Sequence, residues 1–106
     1  MSEYVLLYRG GNPPASEEEG RKAFEAWTAW FERLGSSVKD PGNPFGTSAK
    51  RLGPDGAVSD APASERVGGY SILTAGSIDD ALALAKDCPA LDAGSSITIN
   101  EVEPVM

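Results

Sequence analysis

The first predicted strand of this chain is apolar on both of its faces. Residues 3–9 are rich in residue types that favour β-strands. Because side chains alternate along a strand, Val5 and Leu7 share one face. The opposite face carries three further apolar side chains: Tyr4, Leu6 and Tyr8. A strand with this pattern needs cover on both sides, so the fold must supply a layer for each face of its sheet.

The second predicted element is an amphipathic helix. Ser16 and Glu19 have the spacing of a capping box, in which two side chains satisfy free amides at a helix start. Apolar residues then recur at intervals of three, four and three, which places them on one helical face. This face comprises Phe24, Trp27, Phe31 and Leu34, widened by Ala23 and Trp30. Gly35 is expected to end the helix.

The central part of the chain, residues 36–62, lacks a long periodic pattern. The run Gly53-Pro54-Asp55-Gly56 is typical of a turn, because proline presets the backbone angle of the first central residue. Short strands are predicted on either side of this turn, at residues 47–52 and 57–59. The remainder is expected to be irregular.

The last part of the chain is predicted to form strand, helix and strand. Residues 69–75 and 97–102 have strand patterns. Between them Ser77 is placed to cap a helix, whose apolar face runs from Ile78 to Cys88, and Pro89 is expected to stop it. We therefore expect one domain, residues 1–106, of the α+β class. The element order predicts a ferredoxin-like split βαβ unit, an antiparallel sheet with two helices on one face.

Composition excludes several classes of function. A net charge of −7 argues against nucleic-acid binding, which relies on basic surfaces. The chain has no histidine, which excludes Ser-His-Asp and Cys-His mechanisms and the usual zinc and copper sites. It has no P-loop and no G-x-G-x-x-G, so we expect neither a metal nor another cofactor. No apolar run is long enough for a membrane span, and the single Cys88 fits a cytoplasmic location.

A short segment, S-D-A-P-A-S-E-R-V-G-G-Y at residues 59–70, resembles the signature of the YCII-related family. That family, also called the D-G-P-F family, usually has D-G-P-F-A-E followed by G-G-Y or G-G-F. Asp60, Pro62 and Glu65 match this pattern. Three positions depart from it: Ala61, Ala63 and Ser64. The resemblance implies a dimeric α/β barrel, in which two ferredoxin-like units press their sheets together.

The residues favour a homodimer as well. Both helices would cover one face of the sheet, and a second copy would shield the other face from water. The apolar strand residues that exceed what the helices can cover include Tyr4, Leu6, Tyr8, Ile72, Ile97 and Ile99. We expect Leu6 and Ile99 in the interface, so that a charge at either position dissociates the dimer.

Two carboxylates in the signature segment are the catalytic candidates. Asp60 could act as a general base or hold a ligand; alternatively it bonds backbone amides and shapes the turn before Pro62. Glu65 could be its acid-base partner, or form a surface ion pair with Arg66 or Lys50.

Five further residues are candidate ligand contacts. Arg9, beside a glycine pair, could bind an anion, or simply flank a turn. Asn43 and Phe45 lie in the long central loop, which could be a lid or irregular chain. Tyr70 could orient a ligand through its hydroxyl, and Trp27 could line a pocket between helix and sheet. Both aromatics could equally be core residues.

Three functions are compatible with these residues. The first is a small-molecule enzyme with a cleft beside the sheet and carboxylate acid-base chemistry. The second is a non-catalytic ligand-binding or regulatory module; the resemblance supports it, since YCII-related proteins occur joined to or beside sigma-factor proteins. The third is a structural dimer with a degenerate pocket. Some YCII-related proteins carry a His-Asp pair, which a chain without histidine cannot reproduce.

Overall fold

The computed structural model describes residues 1–105, which form six strands and three α-helices. In chain order these are β1 (Ser2–Gly10), α1 (Glu17–Leu34), β2 (Val38–Asp40), β3 (Lys50–Leu52), β4 (Val58–Asp60), β5 (Gly69–Ala75), α2 (Ile78–Ala85), α3 (Pro89–Asp92) and β6 (Ser95–Glu101). Single 3₁₀ turns occupy Gly35–Ser37 and Ala63–Glu65. No helix within residues 1–105 is both long and apolar enough to cross a membrane.

Four of the strands form the main sheet, in the order β2-β5-β1-β6, and every neighbouring pair is antiparallel. Helix α1 connects β1 to β2, and β5 lies between those two strands. This is the split βαβ arrangement, so the predicted ferredoxin-like α+β fold is confirmed. Strands β3 and β4 form a separate two-stranded hairpin, inserted between β2 and β5. The hairpin was predicted from its turn residues.

Helices α1 and α2 begin at the residues that their sequences predict. The Ser16 side chain accepts a hydrogen bond from the Glu19 amide, and Glu19 Oε2 accepts one from the Ala15 amide. Ser77 caps α2 in the same way, through the amide of Asp80. Each cap satisfies a donor that the first helical turn leaves free.

All three helices pack on one face of the main sheet and enclose the core there. Leu6 has no exposed surface, and Trp30 from α1 is 1% exposed. The other core residues on the strands are mostly large, namely Tyr4, Tyr8, Leu73 and Ala75. Those on or beside the helices are small, namely Ala81, Ala85, Cys88 and Ala90. Since the molecule is only 18 Å across in its thinnest direction, it holds this one sheet and one helical layer.

Of the six apolar strand residues predicted for the uncovered face of the sheet, Ile72 lies there, and the placement of the other five is wrong: Tyr4, Leu6, Tyr8, Ile97 and Ile99. Leu6 pairs with Ile99 across β1 and β6, and both pack in the core beneath the helices. The uncovered side, called the open face below, carries Val5, Leu7 and Ile72, which are half-exposed. Bulky Trp30 and the small alanines of α2 fill the space over the Leu6 side, and this packing determines which face is covered.

Pro89 was predicted to stop a helix, but in the structure it begins one. Helix α2 ends at Ala85, and Cys88 is the residue that precedes α3. Proline is well suited to the first helical position, where the missing amide hydrogen has no partner to lose. The helical layer therefore contains α3 in addition to the two predicted helices, and the closing strand starts at Ser95 rather than residue 97.

Candidate functional site

A cavity of about 480 Å³ opens at the end of β1, between helix α1 and residues 41–44. Its walls come from five parts of the chain that the ferredoxin-like topology brings together. The lining residues are Tyr8, Gly10, Asn12, Pro14, Ala23, Phe24, Trp27, Phe31, residues 41–44 and 68–71, Ala90, Ala93 and Ser95. The lining is predominantly apolar, as is typical of pockets that bind small molecules.

Helix α1 supplies an aromatic wall. The ring of Trp27 meets Tyr8 edge-on, with centroids 5.2 Å apart and planes at 80°. Phe31 lies 5.8 Å from Trp27 on the same helix. Phe24, one turn earlier, is 73% exposed. The residues of the predicted apolar face of this helix therefore have two different roles. Trp30 packs in the core, while Phe24 lines the cavity.

Tyr8 forms the buried floor of the cavity together with Ser71. The Tyr8 hydroxyl donates to Ser71 Oγ over 2.8 Å, and Ser71 Oγ donates to the Pro41 carbonyl over 2.7 Å. A carbonyl can only accept, which fixes the direction of both hydrogen bonds. Burial raises the pKa of Tyr8 above its ordinary value, so the floor is neutral at physiological pH.

The wall opposite the helix depends on glycine at position 42. Gly42 has a φ of +77°, and a Cβ placed there would lie 1.7 Å from the Tyr70 carbonyl oxygen. The Asp40 carboxylate accepts from the Gly42 amide over 2.8 Å, and the Asn43 carbonyl accepts from the Tyr70 amide over 3.3 Å. These contacts hold the wall against the first residues of β5.

Three of the predicted ligand contacts border this cavity: Trp27, Asn43 and Tyr70. Strand alternation places the Tyr70 ring on the open face, where it stacks on Phe45 with centroids 5.7 Å apart. The Tyr70 hydroxyl donates to Asp40 Oδ2 over 3.4 Å. Phe45 itself lines a second, shallower depression rather than the cavity.

The two predicted catalytic carboxylates lie outside the cavity and form ion pairs with different cations. Asp60, at the end of β4, is 2.5 Å from Lys50 Nζ, and both side chains are largely exposed. Glu65 pairs with Arg51 over 3.5 Å. Exposed pairs of this kind contribute little to stability. The catalytic roles of Asp60 and Glu65 therefore stay predictions.

Glu65 nevertheless lines the second depression, which continues from the cavity. Gly10 and Gly68 border both spaces. Arg9 lies beside this junction in sequence and donates to the Ser64 carbonyl over 3.2 Å. Among residues 1–105, no three carboxylate or thiol groups converge in a way that could hold a metal ion.

Cys88 is buried in the core, and burial raises the pKa of its thiol to about 11 from 9.0. Because the thiolate is the nucleophile, we expect the folded protein to react with iodoacetamide at pH 8 roughly a hundredfold more slowly than the unfolded chain. Mass spectrometry of samples with and without urea would measure the two rates. Equal rates would contradict the buried position of Cys88.

The sequence matches none of the protein-family models with which it was compared, and no curated protein. The fold is similar to that of 5-chloro-2-hydroxyhydroquinone dehydrochlorinase from Burkholderia phenoliruptrix, solved in complex with 2,5-dihydroxybenzoquinone. The TM-score is 0.53 at 22% identity, and the match covers 94% of this chain and 93% of that chain. A likeness at this level of identity establishes the shared ferredoxin-like α+β fold, and the activity of this chain must be argued from its own residues.

Proposed function

We propose that this chain binds a small molecule, a flat ring compound, in the cavity between α1 and residues 41–44. The observation that carries the proposal is the aromatic lining of a space of about 480 Å³. That volume lies within the range of ligand pockets, roughly 300–1,000 Å³, and suits a single ring with small substituents.

The arrangement of the aromatic residues favours a planar ligand. Trp27 is held edge-on by Tyr8 and leans on Phe31, so its orientation is set before a ligand arrives. Phe24 is free to close over a bound ring, since most of its surface is exposed. Offset or edge-to-face contacts between rings are worth about 0.5–1.5 kcal/mol beyond area burial.

The structural neighbour supports a role in small-molecule chemistry. It is a dehydrochlorinase, and its bound ligand, 2,5-dihydroxybenzoquinone, is a substituted six-membered ring. The similarity covers nearly the whole of both chains, so the neighbour shows this scaffold binding a small ring compound. Fold similarity is an analogy and does not transfer the reaction.

Catalysis is the second candidate function, and the depression next to the cavity favours it. Glu65 and Arg51 lie in that depression, which meets the cavity at Gly10 and Gly68. In this proposal a ring in the cavity extends a reactive substituent toward Glu65, with Asp60 as an additional base or anchor. Binding without chemistry, as in a sensor, needs only the cavity.

We further propose that the protein is a homodimer, joined through the open face. This face has half-exposed Val5, Leu7 and Ile72 at its centre, and the helices all lie on the other side. A two-fold dimer covers the same patch on both copies. The family resemblance described above implies the same sheet-to-sheet pairing.

The two tryptophans provide an internal test of ring binding. Hydroquinone is expected to shift the indole N–H signal of Trp27, which lines the cavity. The Trp30 indole is buried and donates to the Leu84 carbonyl over 3.2 Å, so its signal should move little. Two-dimensional NMR of the ¹⁵N-labelled protein resolves both signals. Cyclohexane-1,4-diol, which is not planar, is the control and should bind more weakly.

Phe24→Ala is expected to weaken hydroquinone binding about two- to tenfold, because one aromatic contact is lost. Stability should change by less than about 0.5 kcal/mol, since Phe24 is exposed. Leu52→Ala is the matched control, as Leu52 is 72% exposed on the hairpin and away from the cavity. The same NMR titration measures all three proteins. An unchanged affinity of the Phe24 variant would remove Phe24 from the site.

A further inference from the structure

We infer that the cavity selects ring compounds carrying a protonated amine, in preference to neutral or anionic compounds of the same size. The inference rests on the proposed function, because it assumes that a ring occupies the cavity. It adds the chemical class of the ligand, and three features of the lining support it: committed hydroxyl protons, the absence of a lining cation and exposed aromatic surface.

Every hydroxyl group of the lining residues gives its proton to the protein itself. Tyr8 donates to Ser71, Ser71 to the Pro41 carbonyl, and Ser95 to the Gly10 carbonyl over 3.1 Å. Tyr70 donates to Asp40. A hydroxyl that has donated its proton can still accept a hydrogen bond. Tyr8 and Ser71 are buried and the Tyr70 ring lies on the open face, so Ser95 is the hydroxyl whose oxygen remains as an acceptor at the cavity. Since none of the four hydroxyls has a proton left to donate, a ligand gains most by bringing donors.

Two asparagines complete the polar part of the lining, namely Asn12 and Asn43. A side-chain amide has both a carbonyl oxygen and an NH₂ group, so each asparagine can also turn an acceptor toward the ligand. An alkylammonium group has three N–H donors and no acceptor. It is the complement of a site in which acceptors are in excess.

The charges nearest the aromatic wall also favour a cation, whereas the adjoining depression carries Lys50, Arg51 and Arg66 beside Glu65. Within the described chain, none of the lining residues is a lysine, arginine, aspartate or glutamate, so no side-chain cation is present to neutralise a ligand carboxylate. Asp40 is half-buried directly behind the wall, where its two oxygens accept from Gly42 and Tyr70. The net charge of −7 adds a negative field.

The aromatic wall contributes in the same direction. Ring faces attract cations through their quadrupole, and tryptophan does so most strongly. Trp27 and Phe24 offer ring surface at the cavity, because the first is half-exposed and the second largely exposed. A ring compound with an amine substituent can thus pack its ring against one of these aromatic residues and place its ammonium group over the other.

Three probes that share one ring test the inference. Benzylamine is a cation at neutral pH, benzyl alcohol is neutral and benzoate is an anion. We expect benzylamine to bind about two- to fivefold more tightly than benzyl alcohol, and benzoate to bind most weakly. The shift of the Trp27 indole signal in NMR titrations gives all three affinities at one pH and one salt concentration.

Asp40→Asn provides the matched variant. The amide oxygen can still accept from Gly42, and the amide nitrogen can donate to the Tyr70 hydroxyl, so the wall is retained while the charge is removed. Binding of benzylamine should weaken about two- to fivefold, and binding of benzyl alcohol should stay unchanged. Raising the salt concentration should reduce the difference between the proteins.

The outcomes separate the inference from the function on which it rests. Equal affinities for the three probes, or tightest binding of benzoate, would overturn the inference and leave ring binding intact. A Trp27 signal that none of the probes moves at millimolar concentrations would overturn both. A benzylamine preference that persists unchanged in the Asp40 variant would refute the contribution of that carboxylate.

Discussion

Trp30→Ala is expected to lower the free energy of unfolding by about 3–5 kcal/mol. Trp30 is 1% exposed and is the largest fully buried side chain in the helical layer. Alanine would leave a cavity beneath α1 and would also remove the hydrogen bond from the indole to the Leu84 carbonyl. Since domains are stable by about 5–15 kcal/mol, this loss is a large share of the total. Urea unfolding followed by circular dichroism measures it.

Phe24→Ala serves as the control in the same experiment, because Phe24 lies on the same helix but is exposed. Trp30→Phe should give an intermediate loss, as it keeps an aromatic ring and removes the N–H donor. A loss below about 1 kcal/mol for Trp30→Ala would show that the helices do not pack on the sheet as described.

Leu7→Asp is expected to raise the dissociation constant of the dimer by about a hundredfold or more. Leu7 lies on the open face, between Tyr70 of β5 and Thr98 of β6. In a symmetric interface the new carboxylate would be buried twice, and a buried charge without a partner is costly. Sedimentation velocity over a range of protein concentrations measures the change.

Two variants make this result specific to the open face. Ala83→Asp adds the same charge at an exposed position of α2 and should leave the dimer unaffected. Leu6→Asp places the charge in the core and should unfold the chain rather than dissociate it. A wild-type protein that sediments as a monomer, or a Leu7 variant that stays dimeric, would contradict the proposed interface.

Local signals in the sequence predicted most of the elements. Ser16 and Ser77 mark the helix starts, because a side-chain oxygen at that position satisfies a free amide. Strand β2 was missed, since three residues within an irregular region carry no readable period. The covered face of the sheet was also unpredictable. Leu6 and Leu7 are equally apolar, and only the helices that pack above them distinguish the two sides.

The site was predictable only in part. Trp27, Asn43 and Tyr70 were singled out, and the fold brings them to one cavity. Tyr8 and Phe24 were missed because each was assigned by its repeat pattern, the first to the sheet and the second to a buried helical face. The sequence offered one indication that Phe24 is not a core residue. It lies at the start of the apolar face of the helix, more than one turn before Trp30, which is buried. Whether Asp60 and Glu65 converge depends on the path of residues 61–64, which no periodicity describes.

The insertion between β2 and β5 has a consequence for how proteins with this scaffold could diversify. The start of the insertion is attached to the main sheet, where Asp40 pairs with Ile72 and Pro44 bridges Gly69, while β3 and β4 further along form a two-stranded sheet of their own. One contiguous stretch, 41–68, therefore carries a cavity wall, an ionic surface and none of the core. Grafting that stretch between homologous chains would exchange this cavity wall and the ionic surface, without repacking the interior that both chains need in order to fold.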